Sequence, residues 1–252
     1  MIMGRKIRVG AVNYLNTKPL VYGFEQGLMK DDIELINDYP SRIASMLINE
    51  EIDIGLVPVA IIPLLKEYFI ITDYCIGSDG EVASVCLFSE VPIEQIETVL
   101  LDYQSRTSVA LAKILLKEFW MINPSLVDTN EDFRKQITRK TAGLVIGDRA
   151  LEQRKFSPFV YDLGKAWKEL TGLPFVFAAW ISNKKLDEGF IQIFNHSNKL
   201  GLQSIDQVVE KNPYTVFDLK RYYTHYLKYN LDDSMRRGME CFIKKVRELQ
   251  DK

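Results

Sequence analysis

The chain has 252 residues but only two histidines and three cysteines. Cys75, Cys86 and Cys241 stand far apart in no metal-ligand spacing. That pattern offers no metal centre, and sparse unpaired thiols fit a reducing compartment. None has an activating neighbour pattern, so no cysteine nucleophile is expected. His196 and His225 fall in the C-terminal stretch, away from every strand end, and read as structural or surface residues. No P-loop, G-x-G-x-x-G or Ser/His/Asp order occurs, so neither a cofactor nor a metal is expected. No apolar run approaches the ~20 residues of a membrane span. Met1–Arg8 is too short and too charged for a signal peptide, so a cytoplasmic location is expected. A net charge of −2 gives no reason to expect nucleic acid or an anionic membrane as partner. Low-complexity segments, Gly/Ser linkers and short repeats are missing too.

What is present is an ordinary globular composition, 47% apolar and 26% charged, on a chain long enough for a sizeable core. The first ninety residues read as β-α-β-α-β units. Ile7–Val12 and Ile33–Asp38 are strands, each followed by a helix (Lys18–Gln26 and Arg42–Asn49). Asp53–Pro58 is a short buried strand, with a helix over Val59–Glu67. Phe69–Ile76 and Val82–Phe88 are further strands, joined through the turn composition Gly77-Ser78-Asp79-Gly80.

A second block starts near Pro92. It holds a strand at Thr98–Asp102, an amphipathic helix at Ser105–Trp120, a short polar helix at Glu131–Arg139 and strands at Ala142–Ile146 and Val160–Leu163. Trp167–Leu170 reads as a loop or helical turn, and Phe175–Ser182 as an unusually apolar strand. From Asp187 onward the pattern is helical, broken at Tyr214-Thr215-Val216. Two crossings, near Ser89–Pro92 and Ala179–Asn183, then divide the chain. Residues 1–91 and 182–252 form a discontinuous first lobe and residues 92–181 a second. The expected architecture is α/β, a two-lobed periplasmic-binding-protein-like (type II) fold with a central cleft and a helical C-terminal segment. Hinge closure over a ligand is the expected motion. The chain leaves monomer and homodimer open.

Chemistry-bearing groups gather at strand ends, where open α/β sheets bind ligands. Asn13, Asn16 and Thr17 follow the first strand, with Thr17 a candidate N-cap and Pro19 in the first turn. Ser41 and Arg42 open a helix whose N–H groups favour an anion; equally, Ser41 only caps it and Arg42 is solvated. Ser105, Arg106, Thr107 and Ser108 open the long helix of the second block and form the better anion site. Ser84, beside Val85 in an apolar strand, is either a core residue or a cleft residue. Asp148 ends a buried strand after Gly147 and is either a helix cap or an acid that could meet a substrate hydroxyl. Phe175–Trp180 is either plain core or a ring-packing wall.

Taken together and in order, Val12–Leu20 (VNYLNTKPL), Pro40–Ala44 (PSRIA), Asp53–Pro58 (DIGLVP), Ala83-Ser84-Val85, Ser105–Ser108 (SRTS), Gly147-Asp148 and Leu173–Ala178 (LPFVFA) resemble the chorismate dehydratases of the futalosine route to menaquinone. The set spans the chain up to about Trp180. The resemblance implies a two-lobed binding-protein fold and loss of water from chorismate to give 3-[(1-carboxyvinyl)oxy]benzoate. It places Asn16 in the substrate cleft. Ser41, Arg42, Ser84, Val85, Ser105, Arg106, Thr107 and Ser108 then become substrate-binding candidates, and Asp148 joins Asn16 as a catalytic candidate. The sister dihydroxynaphthoate synthases carry a Cys-Pro-Asn-Asp motif where this chain has Asn13-Tyr14-Leu15-Asn16, and they use a histidine. The rival reading from another class is a non-catalytic solute-binding or sensor protein for a small carboxylate.

Overall fold

The computed structural model describes residues 5–250; residues 1–4, the start of the Met1–Arg8 segment, lie outside the described residues, as do 251–252. In chain order the elements are β1 (Ile7–Val12), α1 (Lys18–Glu25), β2 (Ile33–Asp38), α2 (Pro40–Ile48), β3 (Ile54–Pro58), β4 (Phe69–Ser78), β5 (Val85–Ser89) and β6 (Thr98–Leu101). Then follow α3 (Arg106–Glu118), β7 (Ser125–Asp128), β8 (Thr141–Ile146), α4 (Asp148–Gln153), β9 (Phe159–Asp162), α5 (Leu163–Thr171) and β10 (Phe175–Ser182). The C-terminal stretch carries α6 (Glu188–Gln203), α7 (Ile205–Lys211), the single turn α8 (Leu219–Arg221), β11 (Lys228–Asn230) and α9 (Asp233–Gln250).

Two mixed sheets result, ordered β11-β4-β10-β3-β1-β2 and β7-β6-β8-β5-β9. The interior strands β3, β10 and β5 are buried at every residue. Strands covered on both faces are apolar throughout rather than alternating, which explains the runs IGLVP and FVFAAWIS. β1 pairs in parallel with β2 and β3, while β10 runs antiparallel between β3 and β4. The C-terminal stretch returns to the six-stranded sheet: β11 forms its edge beside β4. α6 lies so close to α1 that a side chain at Gly23 would meet the Ser197 carbonyl oxygen at 2.3 Å. The buried Trp180 ring packs edge-on to Phe24 and Phe194, and its N–H donates to Asn198 Oδ1 at 2.8 Å. Among the described residues no helix is long and apolar enough to cross a membrane.

The crossings fall earlier than the sequence pattern placed them. β5, expected with residues 1–91, pairs with β8 and β9 in the five-stranded sheet. β10, expected to start in the second lobe, lies entirely in the six-stranded sheet. The chain therefore changes sheet at 79–84 and at 172–174. The physical reason is at Ala83, whose φ of 63° breaks the expected Val82–Phe88 strand. The Asp162 carboxylate holds that kink by accepting the N–H groups of Val82 and Ala83, at 3.1 and 2.8 Å. It also caps α5 through Lys165 N–H at 3.1 Å, so Trp167–Leu170 is helix rather than loop. The helix expected over Glu131–Arg139 is only a 3-10 turn at Arg134–Gln136, where Asp132 takes both the N–H and the guanidinium of Arg134.

Candidate functional site

The carboxyl ends of β1, β3 and β8 and the start of α3 meet in a cavity between the two sheets. Val12, Tyr14, Asn16 and Pro58 line one side, Ser84, Val85, Ser105, Ser108 and Gly147 the other, and Phe177 and Ala178 of β10 part of its wall. The free space is about 50 Å³, room for a few waters and far less than the ~300 Å³ of an ordinary ligand pocket. The cleft is closed, and hydrogen bonds across it show how. Leu15 N–H donates to Asp148 Oδ1 at 3.1 Å, Ser41 N–H to the Gln104 carbonyl at 3.0 Å, and Ala60 N–H to Thr107 Oγ1 at 3.1 Å. The Tyr14 hydroxyl donates to Gln104 Oε1.

The sequence candidates divide accordingly. Asn16, Ser84, Val85, Ser105 and Ser108 line the cavity. Thr107 is buried and its hydroxyl is engaged by Ala60. Ser41 is not the cap of α2: Tyr39 takes that position and Pro40 the first helical one. The N–H at Ser41 is already bonded to Gln104. Arg42 lies on the face of α2 opposite Ile43, Ala44 and Leu47, exposed and 3.8 Å from Glu51. Arg106 is exposed while its neighbours Thr107 and Ser108 are buried. Neither arginine enters the closed cleft. Thr17 makes no side-chain cap, because a 3-10 turn at Leu15–Thr17 leads straight into α1. Asn13 is exposed.

Asp148 is not the cap of α4 either. Gly147 holds that place with φ 64° and ψ −146°, a conformation nearly confined to glycine. The Tyr14 ring occupies the space beside it, 3.0 Å from where a Cβ would stand. Freed from capping, the Asp148 carboxyl reaches across to Leu15, next to Asn16. Burial pushes its pKa up to about 6; the Leu15 N–H and the charges of Lys18 and Arg149 pull the other way, while Glu152 adds to the rise. Behind Tyr14, the buried Asp102 carboxylate pairs with Arg149 at 2.8 Å and accepts the N–H groups of Gln104 and Ile146. Burial raises Asp102 despite that arginine. Arg149 also donates to Gln104 Oε1 at 2.7 Å. Arg149, tied to Gln104 and Asp102 behind Tyr14, is a cation that the sequence reading passed over.

It also passed over a group of tyrosines from the C-terminal stretch. Tyr229 donates to the Asn16 carbonyl at 2.8 Å, Tyr222 to Ser84 Oγ at 2.6 Å and Tyr214 to the Asp148 carbonyl at 3.2 Å. Tyr223 is buried, its hydroxyl without a partner, and the charge of Asp148 helps raise its pKa. A compositional signal was available: five of the twelve tyrosines fall within residues 214–229.

Comparison with known proteins bears on what this cleft is for. A family model described as menaquinone biosynthesis matches residues 7–248, and so runs through both sheets and the tyrosine-bearing C-terminal stretch. The chain belongs to that family. Two chorismate dehydratases are similar over nearly their whole length. One, from Thermus thermophilus, is 25% identical with 93% of each chain covered. The other, from Campylobacter jejuni, is 23% identical with 95% of this chain and 97% of the relative covered. Among solved structures, a Candida albicans protein described as having the generic periplasmic binding protein fold superposes with a TM-score of 0.63. It is 13% identical and covers 97% of this chain and 91% of its own. The menaquinone-biosynthesis family member described here thus shares the periplasmic-binding-protein fold with a protein of remote sequence.

Proposed function

We propose that this chain is a chorismate dehydratase that removes water from chorismate to give 3-[(1-carboxyvinyl)oxy]benzoate, a hydro-lyase of menaquinone biosynthesis. The observation that carries the reading is a closed cleft lined by Asn16 and the start of α3, bridged beside Asn16 by the Asp148 carboxyl, which accepts the Leu15 N–H and whose pKa burial raises to about 6. The full-length similarity to two chorismate dehydratases supports it. Fold alone would serve a binding protein equally well.

Chorismate is a dianion. In the closed form the start of α2 is taken by Gln104, so the start of α3, with the Ser108 hydroxyl, is the remaining helix terminus for a carboxylate. Asn16 holds the C4 hydroxyl. Elimination breaks the C3–H and C4–O bonds and forms the last ring double bond; the proton and hydroxide leave as water. Aromatisation drives the step, so the protein supplies mainly orientation and a proton for the departing oxygen. Protonated Asp148 is the donor, and it regains a proton, equivalent to the one lost from C3, before the next turnover. The ring system changes no net oxidation state, so no electron carrier is called for. The proton at C3 goes to the substrate's own enolpyruvyl carboxylate, since neither histidine belongs to the cleft lining. An analogue that lacks this carboxylate yet binds should not turn over.

The cavity is too small for chorismate as it stands, so entry requires the lobes to part about the two crossings. Mixing the protein with chorismate should give a species one water lighter by mass detection, and Asn16→Ala should reduce its formation at least about a hundredfold. Chorismate recovered intact from the wild type would return the protein to the solute-binding reading.

A further inference from the structure

Two left-handed backbone positions meet in the cavity wall. Ala83 has φ 63° and Gly147 φ 64°. One hydrogen bond links their turns, from Gly147 N–H to the Ser84 carbonyl at 2.8 Å. Ser84 and Gly147 both line the cavity. Ala83 is the centre of a three-residue turn, closed by Ser84 N–H on the Val82 carbonyl at 2.8 Å. With positive φ at its centre, this is the rare and strained hand of the γ-turn. Glycine takes such a φ freely, but alanine does so only at a cost.

Ala83 stays there because both of its peptide groups are gripped. Its N–H donates to Asp162 Oδ2 at 2.8 Å, and its carbonyl accepts from the Arg154 guanidinium at 3.1 Å. Asp162 ends β9, and Arg154 follows α4, the helix that starts at Asp148. Capping α5 needs only one oxygen of Asp162, the Oδ1 that takes Lys165 N–H at 3.1 Å. The second oxygen is spent on Ala83. We infer that Asp162 is a positioning residue for this wall of the cleft: it keeps the turn at Ala83, and through the Ser84 carbonyl that turn sets Gly147 and the start of α4. Strain that surrounding contacts maintain is characteristic of sites whose geometry matters. Under the proposed dehydratase reading, on which the kinetic expectation below rests, Asp148 follows Gly147 directly, so a shifted wall misplaces the proton donor.

Asp162→Asn keeps the shape of the side chain but leaves it one oxygen; its NH₂ must then face an N–H that the carboxylate accepted. If the cap of α5 is kept, Ala83 N–H is the group left opposite a donor. With chorismate, kcat should fall between about tenfold and a hundredfold while KM changes by less than about threefold, because a misplaced donor fails chiefly at the departing oxygen. A purely structural role would lower the urea midpoint and leave the kcat of the folded enzyme alone. Adding Ala83→Gly should recover most of the loss, since glycine holds the positive φ without the grip. Arg154→Ala frees the carbonyl side of the same residue and should lower kcat about threefold to tenfold; it replaces Asp162→Asn if that variant does not fold. An unchanged kcat, or a loss that Ala83→Gly does not reduce, overturns the inference. A second readout needs no substrate. By hydrogen exchange, the amides of Ser84 and Gly147 should speed up in Asp162→Asn at least about tenfold more than those of the β5–β8 ladder. Equal acceleration overturns the inference whatever the substrate is. Chorismate left intact by the wild type would instead count against the dehydratase reading, and the exchange result would decide the role of Asp162.

Discussion

Replacing Asp148 with asparagine should stabilise the protein at alkaline pH while abolishing most of its activity. Asp148 is a carboxyl whose pKa burial has moved from 3.8 to about 6. Between those values the folded protein holds a proton that the unfolded chain has released, so stability falls as pH rises through that window. Below about pH 4 both states are protonated and the cost vanishes; above about pH 6 it reaches its full size, about 3 kcal/mol. An asparagine carries no charge to desolvate, and its oxygen can still accept the Leu15 N–H. Allowing for imperfect pairing, Asp148→Asn should gain about 2 kcal/mol in urea unfolding at pH 8, with an unchanged m-value. The gain should shrink to about a third of that at pH 5, because the pairing loss stays while the charge cost is only about half its full size. Activity should move the opposite way: kcat falls about a hundredfold or more, as for a lost general acid. In the wild type the alkaline limb of kcat should lie at or above pH 6, because a bound dianion raises the carboxyl further. A variant no more stable than wild type at pH 8, or one whose gain is equal at pH 5 and pH 8, refutes the burial argument. A variant with wild-type kcat refutes the acid role.

Other outcomes follow from the same cleft. Gly147→Ala forces a side chain into a glycine-only conformation against the Tyr14 ring; it should lose about 1–3 kcal/mol in urea unfolding, and a loss below 0.5 kcal/mol would contradict the geometry. Tyr14→Phe deletes one bond across the cleft while Gln104 keeps Arg149 as partner. KM should rise about threefold to tenfold with little change in the thermal midpoint; an unchanged KM would mean that this bond does not hold the closed form. Arg42→Ala and Arg106→Ala, both surface changes, should leave KM within about twofold. A tenfold rise in either would show that the arginine swings into the cleft on substrate binding.

Much of this architecture was legible in the sequence, and its failures have physical causes. Ile7–Val12, Ile33–Asp38 and Phe175–Ser182 have the boundaries their patterns indicate, because apolar runs ended by turn residues leave little choice. Val82–Phe88 misleads because Val, Ala and Cys suit a strand, and nothing local announces that Asp162, eighty residues away, will pull Ala83 to positive φ. Ser41 invites a capping assignment, yet Pro40 is the better guide, since proline favours the first helical position. β7 and β11, of four and three residues, are too short for periodicity to register. At the site, Asn16, Ser84 and Ser105 were readable as polar groups at strand and helix ends. Arg42 and Arg106 sit beside those ends, but helical phase turns them outward. The tyrosines at 214–229 were hidden for a different reason: aromatic residues in a helical stretch look like core, and their hydroxyl partners lie in remote parts of the chain.

The most direct test follows the atom that leaves. Chorismate labelled with heavy oxygen at its ring hydroxyl should be converted to a product that carries none of the label, with all of it recovered in water and both carboxylates intact. Label retained in a product, or labelled chorismate recovered unchanged after prolonged incubation, would contradict the account of this cleft as a site of dehydration.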